Sequence, residues 1–141
     1  MSLKVFIDSD VIISSLLSSS GAAYFLLHNT DAIKPCISNL SLQEICIVVE
    51  RLSIDSKKLA SLLEGNIEVV QLQYTKETVK TAYGHYVLDE NDAHIVAGAK
   101  EARARFLVSY NTKDFKVEKI KQDFAILLIT PAHLLQYLRS I

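Results

Sequence analysis

Along this chain, short unbroken apolar runs alternate with longer stretches in which apolar residues recur at helical spacing. Residues 5–7, "VFI", have no polar position, as expected of a strand covered on both faces. Residues 12–28 follow helical spacing, with a break predicted around residues 18–21, where serines and a glycine interrupt it. Cys36 and Ile37, after Pro35, read as a second short strand. Residues 39–52 read as a helix with Asn39 or Ser41 as N-cap. "SIDSKKLASLLEG" predicts a further helix, capped by Asp55 or Ser56 and closed by Gly65. "IEVVQL" reads as a strand and "TKETVKTAYGHYVL" as a helix capped by Thr75. "NDAHIVAGAKEARA" predicts a helix, "RFLVSY" and "AILLIT" strands, and Pro131 the first turn of a last helix.

Strand and helix alternate nearly throughout, and the strands "VFI", "FLVS" and "ILLI" are apolar on both faces. This pattern predicts a three-layer α/β/α fold with a short, mainly parallel central sheet. In such sheets the working site lies beyond the C-terminal ends of the strands. That placement matters for "VFIDSDVII", in which Asp8 and Asp10 directly follow the first strand. An unpaired buried carboxylate is strongly unfavourable, and two acids close together repel each other.

More acids are predicted to collect at the same edge. Asp89, Glu90 and Asp92 crowd a helix start, and Asn111 and Asp114 follow the strand "FLVSY". Glu44 lies within the helix of residues 39–52. Each has an ordinary explanation: Asp10 suits a helix cap, Asp89 and Asp92 suit a helix start, and Asp114 suits a turn. His28, His85, His94 and His133 are scattered and read as surface or packing residues, His94 on a different helix face from Asp92. Tyr24, Tyr83, Tyr86 and Phe115 read as core. The convergence of carboxylates is what points to chemistry. Acids gathered in one cleft suit a hard cation such as Mg²⁺ or Mn²⁺, which prefers oxygen ligands.

Composition narrows the classes. The 141 residues are half hydrophobic and 22% charged, enough for one sizeable core and too apolar for disorder, so residues 1–141 are expected to form a single domain. A formal net charge of −1 lacks the basic footprint of a protein that grips long duplex nucleic acid by charge. No apolar stretch approaches a membrane span, and the N-terminus does not read as a signal peptide. Cys36 and Cys46, in apolar contexts without metal-ligand spacing, are expected to be buried thiols of a reducing compartment, hence a cytoplasmic protein.

Four segments together resemble the PIN-domain family, the nuclease fold shared by virulence-associated toxins of toxin–antitoxin systems. They are "VFIDSDVIISSLL", "SLQEI", "DENDAHIVAGAKEARARFLVSYNTKDF" and "LLITPAHLLQYL", in order over nearly the whole chain. The resemblance implies a fold of the same three-layer kind. It makes Asp8, Glu44 and Asp92 metal-binding acids, with Asn111 or Asp114 at the fourth position. Asp10 corresponds to a supporting position, and Ser109, where threonine is commoner, is expected to hydrogen-bond to the cluster.

The implied activity is Mg²⁺- or Mn²⁺-dependent hydrolysis of phosphodiester bonds in single-stranded RNA. Lys113 and Lys116 are the expected substrate-binding cations. The apolar segment of residues 16–27 and the "LASLLEG" helix suggest an antitoxin or a homodimer partner. Two alternatives remain from the sequence. One is a PIN-like module that binds protein without catalysis. The other is a haloacid-dehalogenase-type phosphatase, suggested by "IDSDV" but opposed by the lack of a GDxxxD segment.

Overall fold

The computed structural model describes residues 2–141. Its centre is a five-stranded sheet with every neighbouring pair parallel. The strands are β1 (Leu3–Ile7), β2 (Ile33–Ser38), β3 (Glu68–Val70), β4 (Phe106–Val108) and β5 (Leu127–Ile129), in the spatial order β3-β2-β1-β4-β5. β1 is therefore the middle strand, and the chain winds outward from it in both directions. The order reverses between β1 and β4, and in sheets of this kind ligands bind beyond the C-terminal ends of the two strands at that point.

Eight helices cover the two faces: α1 (Ser9–Leu17), α2 (Ala22–His28), α3 (Asn39–Arg51), α4 (Ser56–Glu64), α5 (Lys76–Tyr83), α6 (Ala93–Glu101), α7 (Val117–Phe124) and α8 (Pro131–Arg139). Successive residues of β1 point to opposite faces, as strand pleating requires. Phe6 and Leu107 face a core completed by Val79 of α5, Ile95 and Val96 of α6 and Ile120 of α7. Val5, Ile7 and Val108 face the other, completed by α1, α2, α3, α4 and Leu134 of α8. The expected three-layer α/β/α architecture is present.

Several boundaries follow local chemistry visible in the sequence. α1 and α2 are separated at residues 18–21 and bent by 96°. Asp55, Thr75 and Thr130 each cap a helix through a side-chain oxygen, and Pro131 opens α8. Others differ. α3 is capped by Ser38, whose Oγ accepts from Ser41 N at 3.0 Å, because β2 runs directly into the helix one residue early. Asn39 instead clasps the backbone of Leu72, accepting from its N–H at 2.8 Å. α5 stops at Tyr83 and continues as a 3₁₀ turn, Gly84–Tyr86. α7 has no counterpart in the predicted elements. Cys36 is buried as expected, but Cys46 is exposed: it follows Ile45 on the outer side of α3, whose buried stripe is Leu40, Ser41, Ile45 and Val49.

Among the described residues, no single helix is long and apolar enough to cross a membrane.

Candidate active site

Asp8 stands at this switch point because β1 ends one residue before it. Its backbone N–H still pairs with Val108 O at 2.9 Å, while its side chain turns to cap α1, accepting from Ser9 N at 2.7 Å. The cap of α1 is thus Asp8, and Asp10 lies in the helix's first turn. The second Asp8 oxygen accepts from Ser109 Oγ at 2.8 Å, a bond across the switch point between β1 and β4. Ser109 is fully buried, and its Oγ also accepts from Asn111 N at 3.0 Å. One hydroxyl therefore fixes both the acid after β1 and the turn after β4.

Asp10 ties the same two elements from above. Its Oδ2 accepts from Tyr110 N at 3.2 Å and from Asn111 Nδ2 at 3.1 Å. Its Oδ1 is buried with no hydrogen-bond partner. An orphaned carboxylate oxygen in a cleft is costly unless something outside the chain satisfies it.

Asp92 ends a 3₁₀ turn, Glu90–Asp92, and occupies the N-cap position of α6 without making a capping hydrogen bond. The capping of the turn falls to Asp89, which accepts from Asn91 N at 3.0 Å. Asp89 is thus explained as a turn-start acid, and Asp92 is not. Asp114 ends another 3₁₀ turn, Thr112–Asp114, pinned by backbone bonds to Asn111 and Leu88. Lys113 and Lys116 lie exposed on either side of it.

Glu44 projects from α3 and is held at both oxygens. Ser9 Oγ donates to Oε1 at 3.1 Å, and His94 Nε2 donates to Oε2 at 3.0 Å. His94 is only 3% exposed, and its Nδ1 has no partner. Neither Ser9 nor His94 was expected at the site. The available signals were the hydroxyl between the two acids of "DSD" and a histidine two positions after Asp92.

The electrostatics show that these groups share one environment. Burial, then the neighbouring Asp10 and more weakly Asp92, push the Asp8 carboxyl from 3.8 up to about 7. Burial raises Asp10 as well, with a contribution from Asp114. Asp92 is raised by burial, then by Asp89 and Glu44. Glu44 moves the other way. Burial pushes it up, but the His94 hydrogen bond and charge, Ser9 and Lys76 together bring it below its ordinary value.

Among the described residues, no three Asp, Glu, His or Cys side chains stand together as a finished metal cage. The donor chemistry nevertheless suits a hard dication. The groups are all oxygens, Asp8 is penalised for its charge, and Asp10 Oδ1 lacks a partner that a cation supplies. Glu44 and Asp8 each have both oxygens engaged inside the protein, whereas Asp10 Oδ1 is a buried acceptor without a partner.

The fold has counterparts among known proteins. The chain is similar to a toxin–antitoxin complex from Klebsiella pneumoniae, at 21% identity and a TM-score of 0.64, over 90% of this chain and 97% of that one. It is similar to FitAcB from Neisseria gonorrhoeae, at 18% identity and a TM-score of 0.61, over 92% and 99% of the two chains. It is also similar to VapBC2 from Rickettsia felis bound to a DNA fragment from their promoter, at 16% identity and a TM-score of 0.56, over 91% and 98%. No curated protein sequence matches. The PIN-domain family model matches residues 4–113, well over half of the chain and including Asp8, Asp10, Glu44, Asp92 and Asn111. This chain belongs to the PIN-domain family.

Proposed function

We propose that this protein is a metal-dependent endoribonuclease that hydrolyses phosphodiester bonds in single-stranded RNA, acting as the toxin of a toxin–antitoxin pair in the cytoplasm. The observation that carries the reading is the acid group at the β1–β4 switch point, with an orphaned Asp10 oxygen beside a charge-penalised Asp8. Asp8, Asp92 and Asp114 would hold the ion, Asp10 Oδ1 would complete its oxygen set, and Glu44 would border it. Bound there, Mg²⁺ or Mn²⁺ acidifies water and offsets the charge that develops on the phosphodiester.

The chain's own groups set the stage. Ser109 and Ser9 hold Asp8 as an acceptor aimed at the switch point rather than at solvent. Asn111 fixes Asp10 and keeps the turn after β4 against α1. Lys113 and Lys116 supply cations on the outer side of that turn. Exposed single strands suit a narrow acidic cleft better than duplex does.

Similarity to chains solved in toxin–antitoxin complexes supports an antitoxin partner. So does an apolar surface at the α1–α2 corner, where Leu17 is 62% and Phe25 48% exposed. Beside it lies a cavity of about 390 Å³ lined by Leu16, Leu17, Tyr24 and His28 and by Lys58 and Ser61 of α4. A homodimer through the same surface is the competing use. A non-catalytic PIN module is favoured by one feature, the engagement of both Glu44 oxygens by Ser9 and His94. One assay separates the readings: cleavage of a mixed single-stranded RNA pool with Mg²⁺ or Mn²⁺, with EDTA and Asp92→Asn as controls. Cleavage lost in both controls supports the nuclease. Cleavage surviving both eliminates the mechanism, and no cleavage in either metal favours the binding module.

A further inference from the structure

A cavity of about 130 Å³ opens beside the acid group, lined by Glu44 of α3, Lys76 and Lys80 of α5, Glu90 and Asn91 of the turn before α6, and His94. We infer that this cavity is a phosphate subsite, in which Lys76 and Lys80 hold a backbone phosphate of the RNA strand next to the one being cleaved. The inference rests on the ribonuclease reading and adds the direction in which the strand leaves the centre, over α5.

Lys76 and Lys80 are four residues apart on one helix, so their side chains share a face. Lys76 makes no ion pair among the described residues. The Lys80 side chain is 25% exposed and paired at 3.6 Å with Glu77, which is 85% exposed, a contact that competes weakly with a bound anion. Glu44 makes no direct ion pair with either lysine, its oxygens being bonded to Ser9 and His94, although its charge is felt by Lys76. The Asn91 side-chain amide makes no hydrogen bond among the described residues and adds an uncharged donor. Formal charges of the lining residues balance, two lysines against Glu44 and Glu90, so a dication among the neighbouring aspartates tips the region towards anions. A second cationic cavity, lined by Lys100, Arg103 and Arg105, lies at the opposite end of the sheet and has no acid of the site in its wall. It serves as an internal control.

The test is equilibrium binding of a fluorescent ten-nucleotide single-stranded RNA over a salt series, at fixed Ca²⁺ in place of Mg²⁺ so that the acids stay intact and the RNA is not cleaved. Adding Lys76→Gln and Lys80→Gln should weaken binding about tenfold and flatten the slope of log affinity against log salt by about 0.7, the loss of one phosphate contact. Arg103→Gln with Arg105→Gln should change neither. A lysine pair that matches its parent in affinity and slope overturns the subsite while leaving the ribonuclease reading intact. An arginine pair that weakens binding instead also overturns it. A wild type that cleaves no RNA while the lysine effect persists retires the ribonuclease reading and leaves the lysine pair as a phosphate site with no scission beside it. Absence of any RNA binding by the parent overturns both. Melting curves of each variant confirm folding.

Discussion

His94 is almost fully enclosed, yet one ring nitrogen is spent on Glu44 and the other has no partner. A carboxylate can only accept, so Nε2 carries the hydrogen of the 3.0 Å bond. The arrangement fixes a charged side chain that is about a third exposed, with Ser9 on its other oxygen. Removing the donor with His94→Ala should therefore let burial dominate, and the Glu44 carboxyl should titrate higher than in the wild type. The expected stability loss is about 1–2 kcal/mol, the lower part of the range for a hydrogen bond to a charged group because Glu44 is partly solvated. His94→Gln, which keeps a donor, should recover most of the Glu44 shift. Carboxyl-carbon NMR titrations of the three proteins would show it, and an unchanged Glu44 titration in His94→Ala refutes the positioning role. The sequence reading puts His94 on a different helix face from Asp92; in the structure Asp92 ends the turn before α6 and His94 lies in its first turn. What the sequence hides is the partner, which lies 50 positions away on α3. The same blindness applies to Ser9, whose Oγ reaches Glu44 on α3, and to Tyr110, whose N–H reaches from the end of β4 to Asp10 on α1. Asp8, Asp10, Asp92 and Asp114 were easier to single out, because each follows a strand or starts a helix at one sheet edge.

Elements were legible where a single local rule decides them. Doubly apolar runs marked β1, β4 and β5, and oxygen-bearing caps marked α4 and α5. α7 escaped because its polar sequence, VEKIKQDF, buries only Ile120 fully and partly covers Phe124. It ends on Ala125 in the left-handed region, at φ 58°, where glycine is the usual residue and would have marked the stop. Ala125→Gly should stabilise the protein by about 0.5–1 kcal/mol, the relief of side-chain strain less the extra chain entropy. Gly98 of α6 presents the opposite case. A Cβ there would meet the Phe6 ring well inside van der Waals contact, so the absence of a side chain lets α6 sit close on β1. Gly98→Ala gains about 1 kcal/mol of helix propensity, and a buried methyl forced into a packed core costs about 1–3 kcal/mol. The net effect should be destabilising. Urea unfolding of both variants tests the pair; a stabilised Gly98→Ala would mean that the Phe6 ring moves aside without cost. Because α6 follows Asp92 directly, its displacement should also lower any nuclease activity.

For the whole molecule, a net charge of −1 conceals a strong separation: carboxylates gather at one end of the sheet and Lys100, Arg103 and Arg105 line a cavity at the other. The overall architecture was readable because alternation and doubly apolar strands allow few alternatives. The energetic consequence of gathering acids was not, since it depends on burial. In the metal-free protein, Asp8 titrates near 7 when folded and near 3.8 when unfolded. Between those values the folded state holds a proton that the unfolded state releases, so raising the pH lowers stability. Stability should thus fall from about pH 4 to about pH 7 and level off above it, with Asp10 and Asp92 acting in the same sense. Glu44 acts oppositely, and its contribution is lost as the pH falls below the ordinary glutamate value. A cation bound at the ionised acids reverses the penalty, stabilising the fold by RT ln(1 + [L]/Kd), about 2.7 kcal/mol at a hundredfold excess over Kd. Asp8→Asn keeps an N-cap of equal quality and removes the charge. In EDTA it should melt above the wild type at pH 8 and lose most of that advantage at pH 4. In Mn²⁺ at pH 8 the order should invert, because the wild type gains and the variant gains little. Melting curves at two pH values, with and without Mn²⁺, contain the whole test. Equal Mn²⁺ shifts in both proteins would place the ion elsewhere, and a variant no more stable than wild type in EDTA at pH 8 would show that Asp8 carries no burial penalty.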